Sequence, residues 1–236
     1  MELTSASSGR PIAARSLALE TGAGSVSGLW LEPPMAKACL VLAHGAGAGM
    51  THKSMTAIAD GLAGRAIATL RFQFPYMERG TRRPDPPAIA QAAVRAACAE
   101  AVRRIGDLAL FAGGRSFGGR MTSQAQAKAP LPEVRGLVFF AFPLHPAGKP
   151  SVERAGHLGD VALPMLFLQG TRDALAELDL LQGVVSGLGR RAKLVLAPEA
   201  DHSFHVPASS GRKDADVLAT LLDEVSTWME GLPRSR

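Results

Sequence analysis

The sequence predicts an α/β chain: a doubly wound, mostly parallel central sheet of about eight strands with helices on both faces. Three observations predict it. Short apolar runs alternate with longer helical stretches from residue 38 onward. These runs are apolar throughout rather than at every second residue, as expected of strands buried on both faces. Finally, only 5% of the 236 residues are aromatic while 25 are glycine, which suits closely packed aliphatic layers better than an aromatic-rich sandwich.

The first dozen residues are Ser-rich and expected to fray. Arg15–Glu20 and Val26–Leu31, joined by Thr21-Gly22-Ala23-Gly24, read as an antiparallel hairpin at the sheet edge. Six further strands are predicted at Cys39–Ala43, Ala66–Arg71, Leu108–Gly113, Gly136–Ala141, Met165–Gln169 and Ala192–Leu196. Each is rich in Leu, Val or Phe and ends at Gly, Pro or a charged residue. The intervening helices fall at Met55–Ala63, Ala88–Arg104, Gly119–Lys128, Leu175–Ser186 and Asp214–Glu230. The last carries Val217, Leu218, Leu221, Leu222, Val225, Trp228 and Met229 at helical spacing, then Gly231 and Pro233 as stop signals. Pro84–Pro87 delivers the chain from a loop into the helix that follows. No internal repeat is visible, and residues 1–236 read as a single domain.

A net charge of +5 and a pI near 9.7 raise the question of a nucleic-acid or membrane partner. The basic residues are scattered, as at Arg82 and Arg83, Arg103 and Arg104, Arg190 and Arg191, and Arg234 and Arg236. No zinc-ligand spacing, basic helix or aromatic-interleaved motif accompanies them, so a solvated Arg-rich surface is the expectation, with no nucleic acid and no membrane as partner. Cys39 and Cys98 lie in apolar surroundings and read as small buried hydrophobes of a reducing compartment. Neither a secretory signal nor a run long enough to span a membrane is evident, so a cytoplasmic location is expected. Oligomeric state is not indicated.

The chemistry centres on GGRSFGGR (113–120) between a predicted strand and a predicted helix. That setting fits a nucleophile elbow, a strained turn projecting its side chain above the carboxyl edge of the sheet. Gly114 and Gly118 would relieve crowding between strand and helix around Ser116, and Gly113 and Gly119 fit the same argument. The competing reading of Ser116 is a helix N-cap, which does not require glycines on both sides. A serine nucleophile needs a base, and this fold orders its triad Ser, acid, His. Asp173 follows the strand in MLFLQGTRD (165–173), and His202 follows the strand in LVLAPEADHSFH (194–205). Both lie beyond strand carboxyl ends, on the rim of Ser116. His205 and Asp201 are rivals, although a chain neighbour such as Asp201 or Glu199 is badly placed to orient the imidazole and suits shaping the loop.

An oxyanion needs preorganised N–H donors. Phe117 supplies one, and HGAGAGM (44–50) supplies the other at Ala46, with His44 orienting the loop. Two cofactor readings of that loop compete. A dinucleotide fingerprint lacks its third Gly at Met50, with Arg71 placed for a 2′-phosphate. A phosphate loop running to Lys53 and Ser54 has His52 where Gly is required.

With these motifs assembled, the chain resembles the α/β-hydrolase superfamily over nearly its whole length, and more narrowly a small dienelactone-hydrolase-related group of predicted serine hydrolases. LAHGAG (42–47), RFQFPYMERG (71–80), GGRSFGGR (113–120), FLQGTRD (167–173) and DHSF (201–204) carry the resemblance. It implies Ser116, Asp173 and His202 as catalytic triad and Ala46 and Phe117 as oxyanion donors. Dienelactone hydrolase proper has cysteine where this chain has Ser116, so dienelactone is not the expected substrate. Many relatives insert a lid at the connection that is only residues 142–164 here, so a minimal lid or none is expected, with an accessible cleft. Phe74 and Tyr76 either wall an acyl pocket or simply pack their loop. Arg115 and Arg120 either attract a substrate carboxylate or, the favoured use, form structural ion pairs.

The expected activity is hydrolysis of a small-molecule carboxylic ester or thioester through an acyl-enzyme, without metal or cofactor. A silent binding or scaffold protein, as in animal relatives that serve a chromatin-modifying complex, and an NADP-dependent oxidoreductase are the alternatives.

Overall fold

The computed structural model describes residues 12–233, so the frayed start expected over the first dozen residues lies almost wholly outside the described residues. The predicted hairpin is present as β1 (Arg15–Thr21) and β2 (Gly24–Leu31). Pairing of Thr21 with Gly24 shortens its turn to Gly22-Ala23. Six strands follow: β3 (Ala38–Ala43), β4 (Ile67–Phe72), β5 (Ala109–Arg115), β6 (Val134–Phe140), β7 (Met165–Gly170) and β8 (Ala192–Ala197). They form one eight-stranded sheet in the order β1-β2-β4-β3-β5-β6-β7-β8. β2 meets β4 antiparallel, and every pairing from β4 to β8 is parallel. The chain winds from β3 outward to β4, then returns to place β5 on the other flank of β3. The carboxyl ends of β3 and β5 therefore bound the switch-point crevice of a doubly wound sheet, where ligands bind.

Period-two alternation sorts the strand side chains between two layers. Leu40, Leu42, Phe111, Val138 and Leu166 meet Met55, Ile58 and Leu62 of α1 (Lys53–Ala63) and Val217, Leu221 and Val225 of α6 (Asp214–Gly231). Cys39, Val41, Ala112, Leu137 and Phe167 face the opposite layer. There they meet α3 (Pro87–Ile105), α4 (Phe117–Lys128) and α5 (Leu178–Leu188). Burial pushes both cysteine thiols well up, as expected of inert core residues. Among the described residues, the one unpredicted α-helix is the single turn α2 (Pro75–Glu78), nucleated by Pro75 at its first position. Residues 142–164 contain only a 3₁₀ run, Glu153–Asp160, and no lid. Among the described residues, no helix is long and apolar enough to cross a membrane.

Boundary differences have local causes. Ala66 (φ 58°) and Ala141 (φ 57°) are left-handed, so β4 starts at Ile67 and β6 stops at Phe140. α5 begins later than predicted because Leu175 and Glu177 are tied to His145 instead: Leu175 O accepts from His145 N at 3.0 Å, and Glu177 N donates to His145 Nε2 at 3.0 Å.

The glycines around Ser116 sit where backbones nearly touch. A Cβ at Gly114 would lie 2.3 Å from Ala43 O, and one at Gly118 would lie 2.4 Å from the same oxygen. These two glycines therefore clear the end of β3 rather than the strand–helix junction; that junction is cleared by Gly119, whose Cβ would lie 2.9 Å from Gly114 O. Because the obstacle is backbone, a methyl group cannot be accommodated by rotamer changes. Gly118→Ala is accordingly expected to lower unfolding free energy by about 1–3 kcal/mol, measured as a reduced urea midpoint with unchanged slope.

Candidate active site

β5 ends at Arg115 and α4 starts at Phe117, leaving Ser116 alone to reverse the chain at φ 51° and ψ −117°. For a side chain other than glycine, such backbone geometry costs about 1–3 kcal/mol and is held by surrounding structure. Here Ser116 N donates to Phe140 O at 2.9 Å and Ser116 O accepts from Arg120 N at 3.1 Å. Ser116 occupies the N-cap position, yet its side chain caps nothing. Its Oγ lies 2.8 Å from His202 Nε2 instead.

His202 sits on a loop stitched to the turn after β7. Glu199 N donates to Thr171 Oγ1 at 2.8 Å, and Arg172 N donates to Ala200 O at 2.9 Å. Asp201 shapes the loop from within, its Oδ1 accepting from Ser203 N at 2.7 Å and His205 N at 3.0 Å. Phe204, left-handed at φ 61°, is buried and anchors the far side. His205 turns away from Ser116 to Asp214, with Nδ1 at 2.9 Å from Oδ2, and this carboxylate raises the His205 pKa.

Asp173 is buried and accepts at Oδ2 from His202 Nδ1 at 2.7 Å. An ionised carboxylate only accepts, so Nδ1 carries the hydrogen and Nε2 turns its lone pair toward the Ser116 hydroxyl. Asp173 Oδ1 accepts from Leu175 N at 2.8 Å, and Oδ2 accepts a second bond from Gln169 Nε2. Gln169 is fully buried on β7, and its own Oε1 has no partner among the described residues. Sequence reasoning missed it. The available signal was a lone amide inside the otherwise apolar MLFLQG, one turn before the acid.

The loop after β3 is held from beneath. Buried His44 donates through Nδ1 to Gly45 O at 2.7 Å and accepts at Nε2 from Phe74 N at 3.0 Å. Burial lowers its pKa to about 4, which keeps the ring neutral and able to accept. Tyr76 Oη donates to Ala46 O at 2.7 Å, and Gln73 Oε1 accepts from Met50 N at 2.9 Å. Phe74 and Tyr76 are fully buried, so they pack beneath the loop and do not line the groove beside Ser116. Their rings join Phe117 in an edge-to-face cluster, with Phe74 and Phe117 centroids 5.3 Å apart. The N–H groups of Ala46 and Phe117 donate to no protein acceptor among the described residues.

The groove holds about 620 Å³ and runs from Gly45–Ala48 past Ser116 to His202 and His205. Arg115 borders it, with Nη2 at 3.3 Å from His202 O and 3.1 Å from Ser203 Oγ. Neither Arg115 nor Arg120 forms an ion pair among the described residues, contrary to the favoured expectation. Arg120 instead lies 5.9 Å above the Phe117 ring, a cation–π placement. Arg71 does not face a cofactor crevice: it is buried and donates to Met50 O and Thr56 Oγ1 at 3.2 and 3.0 Å. His52 caps α1 by accepting from Ser54 N at 3.2 Å, which engages the end of the supposed phosphate loop. Among the described residues, no three His, Cys, Asp or Glu side chains gather as a metal-binding group.

A family model described as an alpha/beta hydrolase domain matches residues 36–230. Among solved structures, an α/β serine hydrolase homologue from Coxiella burnetii superposes with a TM-score of 0.74 at 19% identity, covering 92% of this chain and 99% of its own. A serine hydrolase described as lacking a lid, from Xanthomonas campestris, gives 0.72 at 23% identity over 96% of this chain and 99% of its own. Dienelactone hydrolase from Anabaena variabilis gives 0.74 at 18% identity over 95% of this chain and 100% of its own. At these identities the likeness establishes the fold.

The neutral, buried His44 yields a pH prediction. Its folded pKa of about 4 lies below the ordinary 6.5, so the unfolded chain binds the extra proton between those values. Stability is therefore lost as pH falls through that window, by up to about 3 kcal/mol from this group. His157, with Nε2 at 2.7 Å from Ser123 Oγ, is also lowered to about 4, by burial first and by the Arg120 charge second, and acts in the same direction. NMR titration of the imidazoles should find both neutral at pH 5.5; a midpoint near 6.5 for either contradicts this account.

Proposed function

The chain belongs to the α/β-hydrolase domain family, and from that premise we propose that it is a serine hydrolase cleaving a carboxylic ester or thioester through an acyl-enzyme. One observation carries this reading: an unbroken chain of hydrogen-bond contacts from Ser116 Oγ through both nitrogens of His202 to Asp173 Oδ2, at 2.8 and 2.7 Å. The open groove beside Ser116 supports it, because a small ester can reach the hydroxyl without a lid moving.

In this mechanism Ser116 Oγ attacks the carbonyl carbon as His202 Nε2 removes its proton. The imidazolium is stabilised by Asp173, which Gln169 and the Leu175 N–H hold in place. The developing oxyanion accepts from the N–H groups of Ala46 and Phe117, the former in the peptide plane whose Gly45 carbonyl His44 holds, with Tyr76 fixing the next peptide at Ala46 O. His202 then passes the proton to the departing alcohol or thiol. Water enters, loses a proton to the same nitrogen, attacks the acyl carbon and releases Ser116. Arg115 holds the His202 loop from the groove's edge, where it borders the space a substrate would enter.

Wild-type protein is expected to be labelled by a fluorophosphonate probe and to hydrolyse aryl acetates. Ser116→Ala should abolish labelling, and Asp173→Asn should lower kcat by about 10⁴-fold because the imidazole loses its correct tautomer. An unlabelled wild type would remove the basis of this proposal. Gln169→Leu keeps the volume but leaves Asp173 Oδ2 one donor short. Its kcat should fall by about tenfold or more with KM little changed, since the lost bond matters most when the imidazolium forms.

A further inference from the structure

The groove beside Ser116 does not end at the His202 loop. A second cavity of about 360 Å³ opens from it between α1 and α6. The two spaces share Lys53, Ser54, Arg115, Ser203 and Asp214. Beyond that shared mouth, the cavity surface consists of Ala57 and Ile58 from α1, Ala215 and Leu218 from α6, and Phe204 from the loop. Ile58 and Phe204 are buried, and Leu218 packs half-buried against the same core layer. All five side chains are apolar, so the cavity favours an apolar group joined to a reacting centre in the polar groove.

The chemistry decides which half of an ester lies there. The departing alcohol takes its proton from His202 Nε2, so it must occupy the His202 side of the carbonyl carbon. From His202 the chain passes through Ser203 to Phe204, and both of those residues line the cavity. The acyl group, by contrast, stays bonded to Ser116 after the alcohol has left. We propose that the cavity between α1 and α6 binds the departing alcohol, which makes the substrates esters of apolar alcohols and makes Ala57, Ala215 and Leu218 determinants of alcohol specificity. This inference rests on the hydrolase reading.

Two substrate series separate the halves: alkyl acetates from ethyl to hexyl, and methyl esters from acetate to hexanoate. They would be run on wild type, Ala57→Trp and Ala215→Trp, substitutions at exposed helical positions that leave the core intact. In wild type, kcat/KM should rise along the alkyl acetates by up to about fourfold per methylene. In either variant the hexyl-to-ethyl ratio should fall by about tenfold, while the methyl hexanoate-to-acetate ratio holds. A flat alkyl acetate series, or indoles that alter the acyl ratio instead, overturns the inference. If wild type is labelled by the fluorophosphonate and yet gives a flat series, this inference alone fails. If it is neither labelled nor active on any ester, the hydrolase reading fails and takes the inference with it.

Discussion

The contact on which the rest depends is the near touch between the end of β3 and the turn after β5. Ala43 O lies where any side chain at Gly114 or Gly118 would have to be. That closeness draws the elbow against the loop after β3, with a Cβ at Gly45 only 3.8 Å from Ser116 Cβ. The candidate nucleophile and the candidate oxyanion loop thus share one rigid corner at the switch point of the sheet. The strain of a left-handed serine is sustained there because both its backbone polar groups are bonded, one to β6 and one within α4.

Around that corner, several buried polar groups orient others. His44 stays neutral so that one ring nitrogen can accept from Phe74 while the other donates to Gly45. Gln169 gives its amide N–H to Asp173 and leaves its carbonyl oxygen without a partner among the described residues, a cost tolerated in the sheet interior. Tyr76 reaches across to Ala46 from a wholly buried ring. Each of these residues acts on the groove from behind, without facing it.

Much of this was legible in the sequence because it rests on local pattern. Apolar runs located six strands and a turn-joined hairpin the other two, and the placement of motifs beyond strand ends brought Ser116, Asp173 and His202 to one rim. Strand ends were misplaced where single alanines, Ala66 and Ala141, take left-handed backbone that composition does not advertise. Phe74 and Tyr76 show a deeper limit: an aromatic after a strand reads the same whether it meets substrate or packs beneath a loop. The partners of Arg115 and Arg120 were equally hidden, since ion pairing depends on which distant carboxylates arrive nearby. Gln169 was overlooked because one amide inside an apolar strand reads as an interruption rather than as the support of an acid two loops away from its histidine.

The two halves of the candidate site also differ in where they hang from the sheet. Ser116 is carried by β5 at the centre, whereas His202 follows β8, an edge strand whose side chains are mostly only half covered. Edge elements open at lower free energy than central ones. Peeling of this margin would carry the histidine away while the middle of the molecule stays folded, so heat should silence the protein before it melts it.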